Sequence, residues 1–328
     1  MGVAFRGLVS RYMQISNINI VYASVVALSA CVLPLILSDY WIFQCTMVMV
    51  YSIALLGLNL LTGYNGQISL GHGAFYAIGA YATAILAERM GVPYVVAIIF
   101  SAGICLVVGY LFGLPALRLE GLYLALATFA LALAVPQLLR YKGIEDWTGG
   151  SGGLLVTKPA PPTWVNLDSD RWLYFVTLGF LIIAFLAVRN LLTGPMGRAI
   201  VAIRDNPLAA EALGVDAART KSVTFGISAC LAGLAGSLGA LAVQYVAPDT
   251  FSLSLSLTFL IGIVVGGLAS ISGAIFGAIF VEFLPDIADQ LSKSASAAIY
   301  GAVLIAIAYS MPTGVAGALA GLRRWRRK

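Results

Sequence analysis

The sequence has few charged residues and little of the chemistry that enzymes use. Only 10% of its 328 residues are charged, whereas a typical globular domain carries about 25%. It has a single histidine, His72, and no paired carboxylates, His/Cys cluster or Ser/His arrangement that would support catalysis or hold a metal ion. We therefore expect neither an enzyme nor a metalloprotein.

The cysteines give no sign of a redox or zinc site. Cys31, Cys45, Cys105 and Cys230 all lie inside apolar segments, and none belongs to a CxxC pair. We interpret them as small hydrophobic residues of membrane-embedded helices.

Long apolar runs are what the sequence has in abundance. Hydrophobic residues make up 60% of the chain, and runs of roughly 18 or more apolar residues recur, which is the signal of transmembrane helices. The runs do not alternate as the strands of a membrane β-barrel do. We predict an all-α polytopic membrane protein with ten apolar segments, at residues 20–38, 41–62, 74–87, 94–117, 121–140, 172–189, 222–243, 255–269, 272–285 and 297–311.

Three of these segments are short. The segments 74–87, 255–269 and 272–285 cannot cross about 30 Å of hydrocarbon as straight helices, so we expect tilted, extended or broken helices there. The segment 20–38 has no small-residue cleavage site after it, so we expect a retained helix rather than a signal peptide.

The positions of the basic residues predict the orientation. With both termini in the cytoplasm, thirteen of the nineteen lysines and arginines fall on the cytoplasmic side and six on the outer side, as the positive-inside rule requires. The single membrane domain (1–328) then has an external loop at 141–171, a cytoplasmic loop at 190–221 and a basic cytoplasmic tail at 312–328. The net charge of +5 reflects this bias, and we expect no binding to nucleic acid.

The cytoplasmic loop contains the pattern of a short capped helix. Asp205 or Asn206 can act as the N-cap, Pro207 suits the first turn, and Gly214 suits the C-terminal stop. Such a helix either lies on the bilayer surface or docks a soluble partner. Its polar face is acidic or neutral, which is a poor match to anionic headgroups and favours a docking helix.

Three stretches of the sequence carry a family resemblance. They are GLNLLTGYNGQISLGHGAFYAIGAYATA from residue 57, GRAIVAIRDNPLAAEALGVDAARTKSVTFGISACLAGLAGSLGAL from residue 197, and VVGGLASISGAIFGA from residue 264. Together they resemble the LivM-type permeases of high-affinity branched-chain amino acid importers of the ATP-binding-cassette class. The resemblance covers most of residues 50–315.

The resemblance implies a set of partners. In that family a second, LivH-type permease pairs with the first in the bacterial inner membrane, two LivG/LivF-type ATPase subunits drive transport, and a periplasmic amino-acid-binding protein delivers the substrate. This chain has no G-x-x-x-x-G-K-[ST] phosphate loop. We therefore expect it to be non-catalytic, with ATP and Mg²⁺ used by the partner ATPase subunits.

The resemblance also implies a fold and a coupling segment. The fold is that of a type II-like importer permease with an internal pseudo-repeat, for which GQISLG at 66–71 and ASISGA at 269–274 are a matching pair. The segment that couples to the ATPases, carried over by position, comprises Arg204, Asp205, Asn206, Pro207, Ala210, Glu211, Gly214 and Asp216. The arginines that flank it, Arg198 and Arg204, either pair with acids on the ATPase or anchor the loop on the inner side.

The stretch TGYNGQISLGHGAFYAIGAY at 62–81 predicts a helix break at the cytoplasmic end of a span. Its glycines loosen the helix, and nearby polar side chains can satisfy the freed backbone groups. Unwound backbone at membrane depth is tolerated only against protein or a water-filled cavity. The candidate lining of a path or gate is Asn65, Gly66, Gln67, Ser69 and His72. The alternative is a packed break in which His72 is neutral and hydrogen-bonded.

A row of small residues in the segment 222–243 predicts close helix packing. Gly226, Gly233, Gly236 and Gly239 allow helix backbones to approach. The row either packs within the chain or forms the seam with the second permease.

Ionisable residues are scarce in the predicted spans. No span holds a central Asp, Lys or Arg, and the only ionisable candidates are His72 and Glu282, which falls near the end of the segment 272–285. An ion-coupled carrier usually needs such a group near mid-membrane. We therefore favour an importer permease driven by partners. The alternatives are a permease for urea or short amides and, from another class, a stand-alone secondary transporter or channel.

Overall fold

The structure is a computed structural model that describes residues 34, 37–116, 121–163, 167–293, 295–311 and 313–325. Most of the predicted segment 20–38, together with Arg6, Arg11, Cys31, Arg118 and the last three residues of the basic tail, lies outside these residues. The helices are α1 (Asp39–Leu58), α2 (His72–Ala84), α3 (Tyr94–Ala116), α4 (Leu122–Leu139), α5 (Glu145–Thr148), α6 (Ser169–Thr193), α7 (Pro195–Asp205), α8 (Pro207–Ala212), α9 (Ala217–Val243), α10 (Leu253–Gly266), α11 (Gly273–Leu291), α12 (Ser296–Ser310) and α13 (Gly314–Trp325).

The prediction of an all-α membrane fold is confirmed. In the described part of the chain, five helices are long and apolar enough to cross a membrane, namely α1 with its extension, α3, α4, α6 and α9. Short apolar helices, including α10, accompany them. The count of ten spans and the internal pseudo-repeat stay predictions.

One predicted boundary is wrong. The predicted apolar segment 272–285 ends at residue 285. In the structure α11 continues through Pro285 to Leu291 and has 19 residues. At 1.5 Å per residue it is about 28 Å long, so it is not too short to cross a bilayer.

Helix α9 lies at the centre of the fold and packs against α1, α2 and α3. Its four predicted packing glycines are all buried, namely Gly226, Gly233, Gly236 and Gly239. A Cβ atom at Gly236 would collide with the backbone carbonyl of Tyr76, and one at Gly233 would collide with the Cys105 side chain. Packing within the chain therefore accounts for the small residues at Gly233 and Gly236. A seam with a second permease stays a prediction.

The connections predicted to lie outside gather at one end of the helices. Leu154–Leu155 forms a short antiparallel pair with Tyr245–Val246, which ties the predicted external loop to the connection between α9 and α10. Glu88, after α2, accepts hydrogen bonds of 2.7 Å from both the backbone and the hydroxyl of Thr157. The predicted cytoplasmic loop lies at the other end of the helices, where Arg204 contacts Gly63 and Gly66.

Candidate functional site

Two interrupted helices meet at the end of the fold opposite the external loop. The first break is residues 65–71, between α1 and α2, and the second break is residues 267–272, between α10 and α11. Before the first break, α1 widens into a π-helical turn, Asn59–Tyr64. Such turns occur often at functional sites, because they change the direction of the backbone inside a helix.

Asn59 joins the two breaks. Its side-chain Nδ2 donates to the carbonyl of Ser270 at 2.7 Å and to that of Gly267 at 3.4 Å. Its Oδ1 accepts from the backbone N–H of Ala269 at 2.9 Å. The side chain is 1% exposed, so these bonds satisfy backbone groups that would otherwise be buried without partners. Sequence reasoning did not single out Asn59, which belongs to an apolar run.

His72 is held by a chain of hydrogen bonds that fixes its tautomer. Ser228 Oγ lies 2.5 Å from the Gly57 carbonyl and so donates its one proton there. His72 Nε2, 2.7 Å from the same Oγ, must therefore carry a proton and donate. His72 Nδ1 then accepts from Ser69 Oγ at 3.2 Å, and that oxygen accepts from the Gly71 backbone at 3.3 Å.

This geometry gives His72 a structural role. Both ring nitrogens are engaged, the residue is 1% exposed, and it ties the first turn of α2 to α1 and α9. The geometry corresponds to the alternative in which His72 is neutral and packs the break.

The other predicted lining residues are divided between the interior and the surface. Asn65, Gln67 and Ser69 are buried, and Asn65 Nδ2 donates to Gln67 Oε1 at 3.1 Å. Asn65 Oδ1 has no hydrogen-bond partner in the described part of the protein. Gly66 is exposed, with a φ of +74° that favours glycine. A role of this break in a path stays a prediction.

The coupling segment forms the short capped helix that the sequence predicts. Asn206, rather than Asp205, is the N-cap of α8, and its Oδ1 accepts from the backbone three residues on at 3.1 Å. At the other end Gly214 adopts a φ of +84°. The N–H groups of Gly214 and Val215 bond back to the carbonyls of Glu211 (2.9 Å) and Ala210 (3.0 Å), the usual αL termination of a helix.

The apolar side chains near this segment point in two directions. Ile200 and Ile203 of α7 are 0% and 1% exposed, and Ile200 packs against Leu60 of the π-helical turn. In contrast, Leu208 and Leu213, which flank Glu211 at α8, are 79% and 85% exposed. The segment therefore has one face seated on the helix breaks and another that is uncovered in this chain.

Arg204 contacts the first break directly. Its Nη1 donates to the Gly63 carbonyl at 3.1 Å, and its Nε and Nη2 donate to Asp205 at 3.1 and 3.0 Å. Its aliphatic stem packs on Gly66, where a Cβ would lie 2.9 Å from Arg204 Cγ. Sequence reasoning expected a partner on another chain or a membrane anchor, because Gly63 and Arg204 are 141 positions apart in the sequence and no local pattern indicates their contact.

Asp216 has a local role that the sequence analysis did not assign. Its Oδ1 accepts from the Arg219 backbone at 2.9 Å, which makes it the N-cap of α9. The coupling segment is thus fixed at both ends, because Asn206 starts α8 and Asp216 starts α9.

Glu282 lies elsewhere than the sequence predicts. Because α11 extends to Leu291, Glu282 is at the centre of the helix and not near the end of a span. Its side chain is partly buried. The prediction that Glu282 falls near the end of its apolar segment is therefore wrong.

The comparisons with known proteins agree on one family. A family model described as the permease component of branched-chain amino acid transport systems matches residues 40–308. The high-affinity branched-chain amino acid transport permease LivM of Salmonella typhimurium is 33% identical over 261 residues, which are 72% of this chain and 60% of that protein. LivM of Escherichia coli K12 is 33% identical over 273 residues, 76% of this chain and 63% of that protein.

The similarity extends to permeases of the LivH type. LivH of Escherichia coli K12 is 25% identical over 281 residues, which are 81% of this chain and 91% of that protein. The chain spans about three fifths of the length of the two LivM proteins. No solved structure matches the chain significantly.

The contacts of Asn59 predict that substitution of this residue lowers the stability of the protein. Asn59→Leu leaves three backbone groups of the second break without partners and should destabilise the protein by about 2–4 kcal/mol. Thermal unfolding of the detergent-purified protein measures the change. Ser52→Ala is the matched control, because Ser52 is a buried polar residue of α1 that bonds only to its own helix, at Val48. Equal melting temperatures for Asn59→Leu and Ser52→Ala would contradict the assignment.

Proposed function

The chain belongs to the family of branched-chain amino acid transport system permease components, and from that premise we propose that it is a membrane-spanning permease subunit of an ATP-binding-cassette importer of branched-chain amino acids. It pairs with a LivH-type permease to form the translocation path. Two LivG/LivF-type ATPase subunits use ATP and Mg²⁺ to drive it, and a periplasmic amino-acid-binding protein delivers the substrate. Similarity to both LivM and LivH supports the pairing of two related permeases.

The proposed location is the bacterial inner membrane, with both termini in the cytoplasm. The bias of basic residues supports this orientation, because it places the loop 190–221 inside and the loop 141–171 outside. The contacts described above support the relative placement, since these two loops lie at opposite ends of the helices.

One observation carries the proposal for energy coupling. Helix α8 exposes Leu208, Glu211 and Leu213, while the adjoining helix α7 seats Ile200 and Arg204 on the first break. A soluble partner that binds α8 is therefore one short helix away from the interrupted end of α1. In this mechanism the ATPase subunit binds α8 and moves it together with α7. The first break then changes conformation. Helix α7 transmits the displacement because it is 11 residues long and packed along one face.

A carrier that acts alone remains the second candidate, supported by the central position of Glu282 in α11. An acidic residue near mid-membrane is a typical feature of ion-coupled transporters. A permease for urea or short amides would share the architecture, and uptake assays separate it from the main proposal.

Reconstitution tests the function. We expect liposomes that contain this chain, its sister permease and the ATPases to take up labelled leucine when the binding protein and ATP are supplied. Labelled urea is the competing substrate in the same assay. Leucine uptake by this chain alone down an ion gradient would contradict the proposal. Uptake of urea instead of leucine would identify the chain as a permease for urea or short amides.

The exposed face of α8 predicts the docking site. Glu211→Lys should leave the chain inserted and weaken binding of the ATPase subunits by about tenfold, because it reverses the charge at the centre of the contact. Co-purification of the ATPases with the tagged permease measures the effect. Glu145→Lys is the matched control, an exposed glutamate at the opposite end of the fold. Unchanged co-purification of the Glu211→Lys variant would count against this docking site.

The contact of Arg204 with the first break predicts that a variant without it hydrolyses ATP with less transport. Arg204→Ala removes the bond to the Gly63 carbonyl but leaves α8 intact, so the ATPases should bind while uptake per ATP hydrolysed falls about fivefold or more. Arg198→Ala is the control, since Arg198 is exposed on the same helix. Arg204→Lys should restore part of the coupling. Tight coupling in Arg204→Ala would refute the role assigned to this contact.

A further inference from the structure

The hydroxyl of Thr128 ties α4 to the first break. Its Oγ1 accepts from the backbone N–H of Leu70 at 2.9 Å and donates to the carbonyl of Ala125, in its own helix, at 3.0 Å. Thr128 is 0% exposed, and a Cβ atom at Gly71 would lie only 2.9 Å from its carbonyl oxygen. Leu70 lies between two helices, so the threonine supplies a hydrogen-bond partner that no helical turn provides.

Helix α4 is packed on one face and exposed on the other. It is one of the five helices that are long and apolar enough to cross a membrane. Its buried residues form one stripe at helical spacing, namely Leu124, Ala125, Thr128, Ala132, Val135 and Pro136. Along this stripe it packs against α2, α10 and the turn Pro248–Phe251, which we call the outer turn. A helix packed in this way can move as a unit by small sliding displacements.

A second polar contact holds the other end of α4. Arg140, directly after the helix, forms an ion pair with Asp249 of the outer turn. Arg140 is 12 positions beyond Thr128, which is about 18 Å along a helix. The outer turn belongs to the connection between α9 and α10, which pairs with the predicted external loop. Helix α4 therefore reaches from the first break to the end of the fold that carries this loop.

We propose that Thr128 is a positioning residue for energy coupling, because it makes α4 follow the first break and so links the ATPase side of the protein to the outer turn. This inference rests on the proposed function, which supplies ATPase subunits at one end and a loaded binding protein at the other. Arg204 holds the first break from the side of α7, and Thr128 holds it from the side of α4. A displacement at α8 then reaches Asp249, and a displacement of the outer turn returns along the same contacts.

The test measures ATP hydrolysis by the reconstituted importer with and without leucine-loaded binding protein. Thr128→Val keeps the shape of the side chain but removes the oxygen that accepts from Leu70. We expect the stimulation of hydrolysis by the binding protein to fall about fivefold or more, within the usual range for coupling between two sites. Basal hydrolysis and co-purification of the subunits should not change. Thr128→Ser retains the hydroxyl and should recover most of the stimulation.

Thr177→Val is the matched control. Thr177 is a fully buried threonine of α6, another helix apolar enough to cross a membrane, and its hydroxyl has no hydrogen-bond partner in the described part of the protein. Replacing an unpaired hydroxyl by a methyl group is nearly neutral, so stimulation should stay within about twofold of that of the unmutated complex. Equal losses in Thr128→Val and Thr177→Val would assign the effect to the loss of any buried hydroxyl and overturn the proposal.

A double variant separates this role from a merely structural one. Asp249→Ala breaks the ion pair at the other end of α4 and should also lower the stimulation. Residues more than about 10 Å apart normally act independently, so two unrelated defects would multiply their effects. We expect instead that Thr128→Val combined with Asp249→Ala loses no more stimulation than Thr128→Val alone, because both changes break one connection. Multiplied losses would overturn the proposal.

Other results overturn the proposal in different ways. Normal stimulation of the Thr128→Val complex would exclude a role in coupling. The Asp249 side chain is 78% exposed, so Asp249→Ala should assemble even if Thr128→Val does not, and its normal stimulation would refute the link to the outer turn. A failure of the proposed function is distinguishable, because the unmutated complex itself would then show no ATP-dependent leucine uptake.

Discussion

The hydrogen bonds of Asn59 set the geometry of the end of the fold where the two helix breaks meet. A helix that stops at membrane depth leaves N–H and C=O groups that lipid cannot satisfy. Asn59 lies in the π-helical turn that ends α1 and bonds to three backbone groups of the second break. One side chain thereby satisfies the break between α10 and α11 and fixes its position against α1.

Close helix packing holds the rest of the fold around that point. Helix α9 approaches α2 and α3 so closely that Gly236 and Gly233 have no room for a side chain. Ser228, from the same helix, takes its hydrogen bond from His72 and gives its own to Gly57, so three helices share one polar contact. Without a hydrophobic driving force between helices in lipid, contacts of this kind supply the association energy.

These features give the coupling proposal a physical route. The exposed leucines of α8 are suited to a soluble partner, and α7 connects them to the first break through Ile200 and Arg204. Arginine suits that position because its planar guanidinium can hold Asp205 and the Gly63 carbonyl at once. The apolar face of α7 and Arg204 thus contact the same few residues of the π-helical turn that ends α1.

The sequence by itself determined the class of the protein and most of its local structure. Long apolar runs are typical of membrane helices. Asn206, Pro207 and Gly214 specify their short helix through local capping and turn geometry. The family resemblance also rests on contiguous stretches of the sequence. Tertiary structure alone decided which distant residues meet. The contacts of Asn59 with the second break and of Arg204 with Gly63 span 141 or more residues, and no periodicity records them. The extent of α11 was not evident from the sequence either, since the helix continues through Pro285 to Leu291.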